Sequence, residues 1–188
     1  MVDASAQEYK DALVEALQFF KCEKDHDVQE LLNSKAIDFE LRGWATTYLI
    51  LNRSCFENGQ IYIEGYFSVT HKAVIFEEEV SGSLRNKLAG SKRAESQSFV
   101  LIGQLGKYIE KKEDGTYVSS ELTSQELLDD AMAIINKSSE YIICSNVIIE
   151  CKPIEKIQKI YRDYGFVELQ FDGDLHTMYL RLDHRIAY

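Results

Sequence analysis

A polar stretch separates SFVLIGQLGKY (residues 98–108) from TSQELLDDAMAIINK (residues 123–137). The interpretation of the chain begins with these two segments. Residues 99–105 are apolar and favour a β-strand, whereas the apolar residues of 123–137 recur at helical spacing. Thr123 and Glu126 have the spacing of a capping box, so we expect a helix to begin there. A strand that leads through a loop to a helix N-terminus can hold phosphate, because free backbone N–H groups and the helix dipole face the loop. An ordinary strand–helix connection has the same pattern, and this segment alone leaves both interpretations open.

The composition predicts one globular domain over residues 1–188, since 45% of the residues are hydrophobic and 28% are charged. No apolar run approaches the ~20 residues that a membrane span needs. Residues 1–10 lack the basic and then apolar pattern of a secretory signal. We therefore expect a cytoplasmic protein that makes no membrane contact.

The net charge of −10 argues against broad nucleic-acid binding, because a protein that holds a polyanion usually carries a basic face. One basic cluster interrupts the polar segment 77–97. A solvated loop with a short helix is favoured there over a functional anion patch. The cluster consists of Arg85, Lys87, Lys92 and Arg93.

The cysteines and histidines do not predict a disulfide framework or a metal site. No two cysteines have C-x-x-C spacing, and no two histidines have the spacing of paired metal ligands. Free cysteines in β-like segments act as small apolar residues. The residues are Cys22, Cys55, Cys144, Cys151, His26, His71, His176 and His184.

The N-terminal half predicts two amphipathic helices followed by strands. The helices cover 5–21 and 27–42, and Gly43 fits the position after the second helix. Strands are expected over 46–51 and 61–70, joined by a hairpin turn at Asn58-Gly59. The second strand is expected to bend at Gly65 and to extend as far as Phe76.

The C-terminal part continues this pattern and completes an α/β chain with a mixed sheet. The strand 147–151 is nearly all apolar, as in a strand covered on both faces. Pro153 suits the first turn of a helix that ends at Gly165. Two strands, 167–171 and 177–182, are expected to flank a hairpin turn at 172–174.

The order of these elements, together with several motifs, resembles the GNAT superfamily of N-acetyltransferases. IYRDYGF (160–166) is similar to its signature of a hydrophobic residue, Tyr, three residues, Gly and Phe. Within the superfamily, the chain resembles most the branch that contains the GNAT toxins of type II toxin–antitoxin modules. A first strand ahead of the N-terminal helix is not evident. The segments that carry the resemblance are FFKCEKDHDVQELLNSKA (19–36), IEGYFSVTHKAV (63–74), VLIGQLGKY (100–108) and LHTMYLRL (175–182).

The resemblance implies a GNAT fold, a mixed twisted sheet with splayed central strands, and acetyl-CoA as cosubstrate. It implies that an amine attacks the thioester directly and that Tyr161 protonates the leaving thiolate as a general acid. The pantetheine arm would pair with Leu105, Gly106 and Lys107. The pyrophosphate would meet the residues before and at the next helix, namely Ser119, Ser120, Glu121, Leu122, Thr123, Ser124 and Gln125.

The sequence departs from the family's pattern at the phosphate loop and at the next helix. The glycines of the loop are absent, Glu121 adds a negative charge, and Ile154 stands near the place of a frequent asparagine. The insertion 109–118 supplies Lys111 and Lys112, which could restore positive charge near Lys107.

No single residue is indicated as the general base. Glu64 and Glu150 are carboxylates in predicted strands, and each is also compatible with a solvent-facing or ion-paired role.

Three functions remain open at this point. The first is acetyl transfer to a primary amine on a small molecule or a protein. The second is a catalytically silent GNAT-fold protein with a binding or regulatory role. The third is toxin-like acetylation of aminoacyl-tRNA. The resemblance also implies a homodimer, and the sequence does not reveal whether an antitoxin partner exists.

Overall fold

The computed structural model describes residues 4–139 and 145–182, so Cys144 and His184 lie outside the described residues. Its contacts divide the chain into two compact units. Unit 1 comprises Met1–Ser68 and Gln104–Thr123, and unit 2 comprises Val69–Gly103 and Ser124–Tyr188.

The helices lie close to their predicted positions, except for α4, which was not predicted. They are α1 (Ala4–Phe19), α2 (His26–Glu30), α3 (Ala36–Leu41), α4 (Arg53–Glu57), α5 (Gly82–Ala89), α6 (Ser124–Ser139) and α7 (Glu155–Tyr164). A π-helical turn, Leu31–Lys35, joins α2 to α3, so the predicted helix 27–42 is present with an interruption.

The strands form one six-stranded sheet and one hairpin. The sheet order is β1-β2-β3-β6-β8-β7, and β4 pairs with β5. β3 and β6 are parallel, with Val100–Ile102 opposite Val147–Ile149, and β8 is antiparallel to both β6 and β7. The sheet is therefore mixed, as predicted. The strands are β1 (Thr46–Leu51), β2 (Ile63–Ile75), β3 (Ser96–Lys107), β4 (Ile109–Lys111), β5 (Tyr117–Ser119), β6 (Asn146–Cys151), β7 (Val167–Phe171) and β8 (His176–Arg181).

The core of unit 1 forms where α1 and α2 pack on the start of β2. Phe20, Leu32 and Tyr66 are almost completely buried there. The Tyr66 hydroxyl donates a 2.6 Å hydrogen bond to the Val28 carbonyl, so the most buried tyrosine has its polar atom satisfied.

The core of unit 2 is centred on β6, in which Val147, Ile148 and Ile149 are at most 2% exposed. Phe99 and Tyr179 pack in the same cluster as Ile148. The near-continuous apolar run of β6 therefore reflects burial on both faces, as expected from the sequence.

Three local predictions were wrong or incomplete. In place of the predicted two-residue hairpin, Arg53–Glu57 forms α4 with Asn52 as its N-cap, and Gly59 at φ +76° follows that helix. Residues 109–119 form the hairpin β4–β5 around Gly115, not a loop. Pro153 precedes the N-cap of α7 and lies outside its first turn. A single parallel bridge joins Cys22, which follows α1, to Ile109.

None of the helices within residues 4–139 and 145–182 is long and apolar enough to cross a membrane.

Candidate active site

Two glycines of unit 1 lie in close contact with neighbouring backbone and side chains. A Cβ built on Gly65 would lie 2.5 Å from Leu122 Cδ2 and 2.9 Å from the Gly106 carbonyl oxygen. A Cβ on Gly106 would lie 2.4 Å from Val28 Cγ1 and 2.7 Å from Tyr66 Cε1. Gly65 therefore allows close approach of β3 and of the loop that contains Leu122, a role that its predicted bend did not include.

The loop between β5 and α6 is tied to the end of β3. Lys107 Nζ donates a 3.0 Å hydrogen bond to the Leu122 carbonyl. The structure therefore brings together Gly106, Lys107 and Leu122, three of the residues that the resemblance assigns to the cofactor. Because Lys107 already bonds a carbonyl, part of its donor capacity is used within the protein.

Ser120 is the buried polar residue of this loop, at 8% exposure. Its backbone N–H donates to the Tyr108 carbonyl over 3.0 Å. Its hydroxyl oxygen is buried and has no hydrogen-bond partner among the described residues. An unsatisfied buried hydroxyl costs free energy, so a ligand oxygen at this position would be stabilised.

The other residues assigned to the phosphate loop surround Ser120 in sequence. Ser119 ends β5 opposite Ile109, and Glu121 is exposed. Thr123 directly precedes α6, which begins at Ser124, so the helix starts where the capping pattern predicts. Gln125 donates to Asp129 within the helix, and Leu105 lies half-buried on β3.

Tyr161 lies on α7 in unit 2, with its ring edge-on to Phe166 at a centroid distance of 6.1 Å. Burial, with a smaller contribution from Cys151, raises the pKa of Tyr161 to about 12. Across the described part of the chain, no group forms a hydrogen bond with its hydroxyl. At neutral pH the hydroxyl is therefore protonated and free to donate to a ligand.

A histidine and a carboxylate pair near Cys151 in unit 2, a feature that sequence reasoning missed. His176 lies opposite Cys151 across β6 and β8, and its Nδ1 lies 2.9 Å from Glu168 Oε1. Phe171 stacks on the imidazole at 4.4 Å. In the register of β7 and β8, Glu168 lies opposite Met178 and Phe171 lies opposite His176, with an irregularity between Glu168 and Gln170. The sequence carried no signal for this pair. Burial raises the pKa of the Cys151 thiol, which disfavours the nucleophilic thiolate.

Glu150 is ion-paired. Lys72 Nζ lies 2.7 Å from both of its carboxylate oxygens, and Thr177 Oγ1 lies 3.5 Å from Oε1. Lys72 and Glu150 are 78 residues apart in sequence, so no local pattern could have predicted the pair.

Glu64 lies on β2 in unit 1, where its carboxylate accepts a 2.8 Å hydrogen bond from Asn52 Nδ2. Asn52 is also the N-cap of α4, through its contact with the Cys55 N–H. Glu64 is thus held by a neutral amide, whereas Glu150 is held by a cation.

Arg85 of the predicted basic cluster has a structural role. Its guanidinium donates to the carbonyls of Glu77, Val80 and Ala94. It also lies over the Phe76 ring. These contacts favour the structural interpretation of the segment over an anion patch.

Within the described ranges, no group of three His, Cys, Asp or Glu side chains is placed to hold a metal ion.

No protein-family model matches the sequence, and no curated protein matches it either. Solved structures do match. A complex of the toxin AtaT with acetyl-methionyl-tRNAfMet has a TM-score of 0.65 and 16% identity, over 88% of this chain and 86% of that chain. A mutant of AtaT bound to acetyl-CoA and to the C-terminus of the antitoxin AtaR has a TM-score of 0.58 and 15% identity, over 88% and 84%. A mutant of KacT has a TM-score of 0.65 and 14% identity, over 88% and 86%.

Identities of 14% to 16% establish similarity of fold. The mixed six-stranded sheet and the order of its elements agree with that similarity. The chain therefore has the GNAT fold that the resemblance predicted, in a form similar to AtaT and KacT, GNAT-fold toxins of type II toxin–antitoxin modules.

Proposed function

We propose that this protein is an N-acetyltransferase that uses acetyl-CoA as cosubstrate and a primary amine as acceptor. The observation that carries the proposal is Tyr161, at the family's signature position in a GNAT fold. It is protonated at neutral pH because burial raises its pKa, and its hydroxyl has no hydrogen-bond partner among the described residues. A similar structure, that of AtaT, contains acetyl-CoA, which supports the choice of cosubstrate.

The chain's own groups fit a phosphate-containing cosubstrate in one respect. Ser120 carries a buried hydroxyl without a partner among the described residues, and a hydroxyl can donate to a phosphate oxygen. The resemblance assigns the neighbouring residues Ser119–Gln125 to the pyrophosphate and Leu105–Lys107 to the pantetheine arm. The positive end of the α6 helix dipole would add to the attraction for phosphate.

In the proposed reaction the amine nitrogen attacks the thioester carbonyl, the carbon–sulfur bond breaks, and the amine proton must leave. Tyr161, protonated at neutral pH, donates its hydroxyl hydrogen to the departing thiolate. Glu64 and Glu150 remain the candidate acceptors for the amine proton. Glu64 is the stronger candidate because Glu150 is bound by the Lys72 ammonium.

Calorimetric titration with acetyl-CoA, and separately with CoA, tests the cosubstrate. We expect a micromolar dissociation constant and a weaker one in the Ser120→Ala variant. Absence of binding up to about millimolar, a free energy weaker than roughly −4 kcal/mol, would overturn the proposal. The fold would then serve the catalytically silent role.

Substitution of Tyr161 by Phe tests the acid. We expect kcat to fall by about 10²-fold or more, because general acid catalysis contributes roughly 10²–10⁴-fold, with acetyl-CoA affinity unchanged. Tyr164→Phe is the matched control, since Tyr164 lies on the same helix but donates its hydroxyl to Asp129. Equal rates for the wild type and Tyr161→Phe would remove Tyr161 from the mechanism.

A second candidate acceptor is the amino group of an aminoacyl-tRNA, because one similar structure is AtaT with acetyl-methionyl-tRNAfMet. The net charge of −10 and the internal contacts of Arg85 count against it. Acetylation of aminoacyl-tRNA that weakens steeply with salt would support this acceptor, whereas turnover of small amines alone would exclude it. A cytoplasmic location and a homodimer remain predictions.

A further inference from the structure

Unit 1 contains a pocket that none of the proposed transfer residues lines. Its volume is about 500 Å³, within the range of small-molecule sites. One wall is the face of α1 that carries Ala12, Glu15 and Ala16. The opposite wall comes from residues 59–63 and from Tyr108 and Glu110. Because Ala12 and Ala16 are small, α1 leaves the space between these walls open.

The apolar surface of the pocket is aromatic. The rings of Tyr62 and Tyr108 are 5.3 Å apart and tilted by 49°. Phe20 meets Tyr108 edge-on at 6.0 Å, and Phe19, at 66% exposure, lies at the rim. The π faces of such rings attract cations, and quaternary ammonium groups are bound by aromatic cages of this kind.

The polar surface of the pocket is mainly acidic. Glu15 and Glu110 are on its walls, and of the described residues that line it Lys21 is the one cation. In the part of the chain that the structure describes, neither Glu15 nor Glu110 forms an ion pair. Glu110 accepts a 2.9 Å hydrogen bond from the Tyr108 hydroxyl, which orients the carboxylate and the ring together.

Burial is the largest cause of the raised pKa of Tyr62 and of Tyr108, and nearby carboxylates add to it. Burial raises the pKa of Tyr62, and Glu64 and Glu110 raise it further. Burial and the bond to Glu110 also raise the pKa of Tyr108, with a contribution from Glu23. A negative potential over aromatic faces favours a cation over a neutral ligand or an anion.

We propose that this pocket is a binding site for a small organic cation, an alkylammonium or quaternary ammonium ion. The ligand's charged head lies over Tyr62 and Tyr108 and pairs with Glu110, and its alkyl part lies against α1. The proposal does not depend on the acetyl-transfer function, because its residues belong to neither the Tyr161 helix nor the loop Ser119–Gln125.

Calorimetric titration of the full chain with choline, with n-butylammonium and with 3,3-dimethylbutan-1-ol, the neutral isostere of choline, at constant ionic strength tests the charge preference. We expect both cations to bind in the millimolar range or more tightly. The alcohol should bind about fivefold more weakly or worse, as expected for lost cation–π and carboxylate contacts. Equal binding of choline and its isostere, or no binding of either cation, would overturn the proposal.

Two variants and one control variant locate the site. Glu110→Gln keeps an acceptor for Tyr108 but removes the charge, so choline affinity should fall by about fivefold. Glu113→Gln makes the same charge change at an exposed position of the β4–β5 hairpin and should leave affinity unchanged. Ala12→Leu fills the pocket from an exposed helical position, so it should abolish binding without unfolding the protein. If choline binding survives Ala12→Leu, the site is elsewhere and the proposal is wrong.

Discussion

Gly106 shows how one missing side chain allows the packing of unit 1. The Val28 and Tyr66 side chains fill the space that a Cβ would occupy. Tyr66 is held there because its hydroxyl bonds the Val28 carbonyl. The glycine therefore lets β3 pack directly against a fixed aromatic ring.

We expect Gly106→Ala to destabilise the fold by about 1–3 kcal/mol, because the new methyl group overlaps Val28 and Tyr66. Chemical denaturation monitored by circular dichroism measures this change. Gly82→Ala is the control, because its Cβ meets nothing closer than 3.4 Å and its φ is not positive. A Gly106→Ala variant as stable as wild type would contradict the close packing.

At the scale of elements, the helix that carries Tyr161 lacks a side-chain cap. Ile154 is the N-cap of α7 in an extended conformation, φ −109° and ψ 111°. Its carbonyl accepts hydrogen bonds from the Ile157 and Gln158 N–H groups, but its side chain offers no acceptor. By contrast, Asn52 caps α4 and Ser81 caps α5 through their side-chain oxygens. Contacts with other elements therefore stabilise α7, and one of them is the hydrogen bond from the Tyr164 hydroxyl to Asp129 on α6.

We expect Ile154→Asn to stabilise the protein by about 1 kcal/mol, because asparagine is among the best N-cap residues. Ile154 is 47% exposed, so little buried apolar surface is lost. Ser81→Ala should have the opposite effect of similar size, since it removes the 3.2 Å bond from the Leu84 N–H. Thermal melts measure the change in stability of both variants. Destabilisation by Ile154→Asn would show that the apolar contacts of the Ile154 side chain outweigh the added cap.

At the scale of the whole molecule, many tyrosines share a raised pKa. Burial is the largest cause for each of Tyr62, Tyr66, Tyr108, Tyr161 and Tyr164. For Tyr161 and Tyr164 the pKa rises from 10 to about 12. The folded chain therefore keeps protons that the unfolded chain releases at high pH.

Stability should consequently be insensitive to these groups below about pH 9 and should fall as the pH rises from about 10 towards 12. Denaturant midpoints across this range, with tyrosinate absorbance, measure the effect. Tyr161→Phe should flatten the decline, which separates the tyrosines from lysines that titrate in the same range. A decline of the same slope in this variant would assign the effect to other groups.

Local physical chemistry determined the elements of this protein. Apolar periodicity predicted the helices 5–21 and 123–137, because each helix must bury one face. A nearly continuous apolar run predicted the strand 147–151, which is buried on both faces. The motif around Tyr161 predicted the GNAT fold, which the solved structures confirm. The residues proposed to bind acetyl-CoA stay a prediction.

Only the tertiary structure revealed which distant residues meet. The Lys72–Glu150 pair, the close contact of Gly65 with Leu122 and the aromatic pocket beside α1 join residues far apart in sequence. The hairpin β4–β5 was missed because its strands have only three residues each, too few for a period to show. A sequence pattern indicates which face of a helix or strand is buried. It does not indicate which residue packs against that face, because the packing of strands and helices in the folded chain decides the partner.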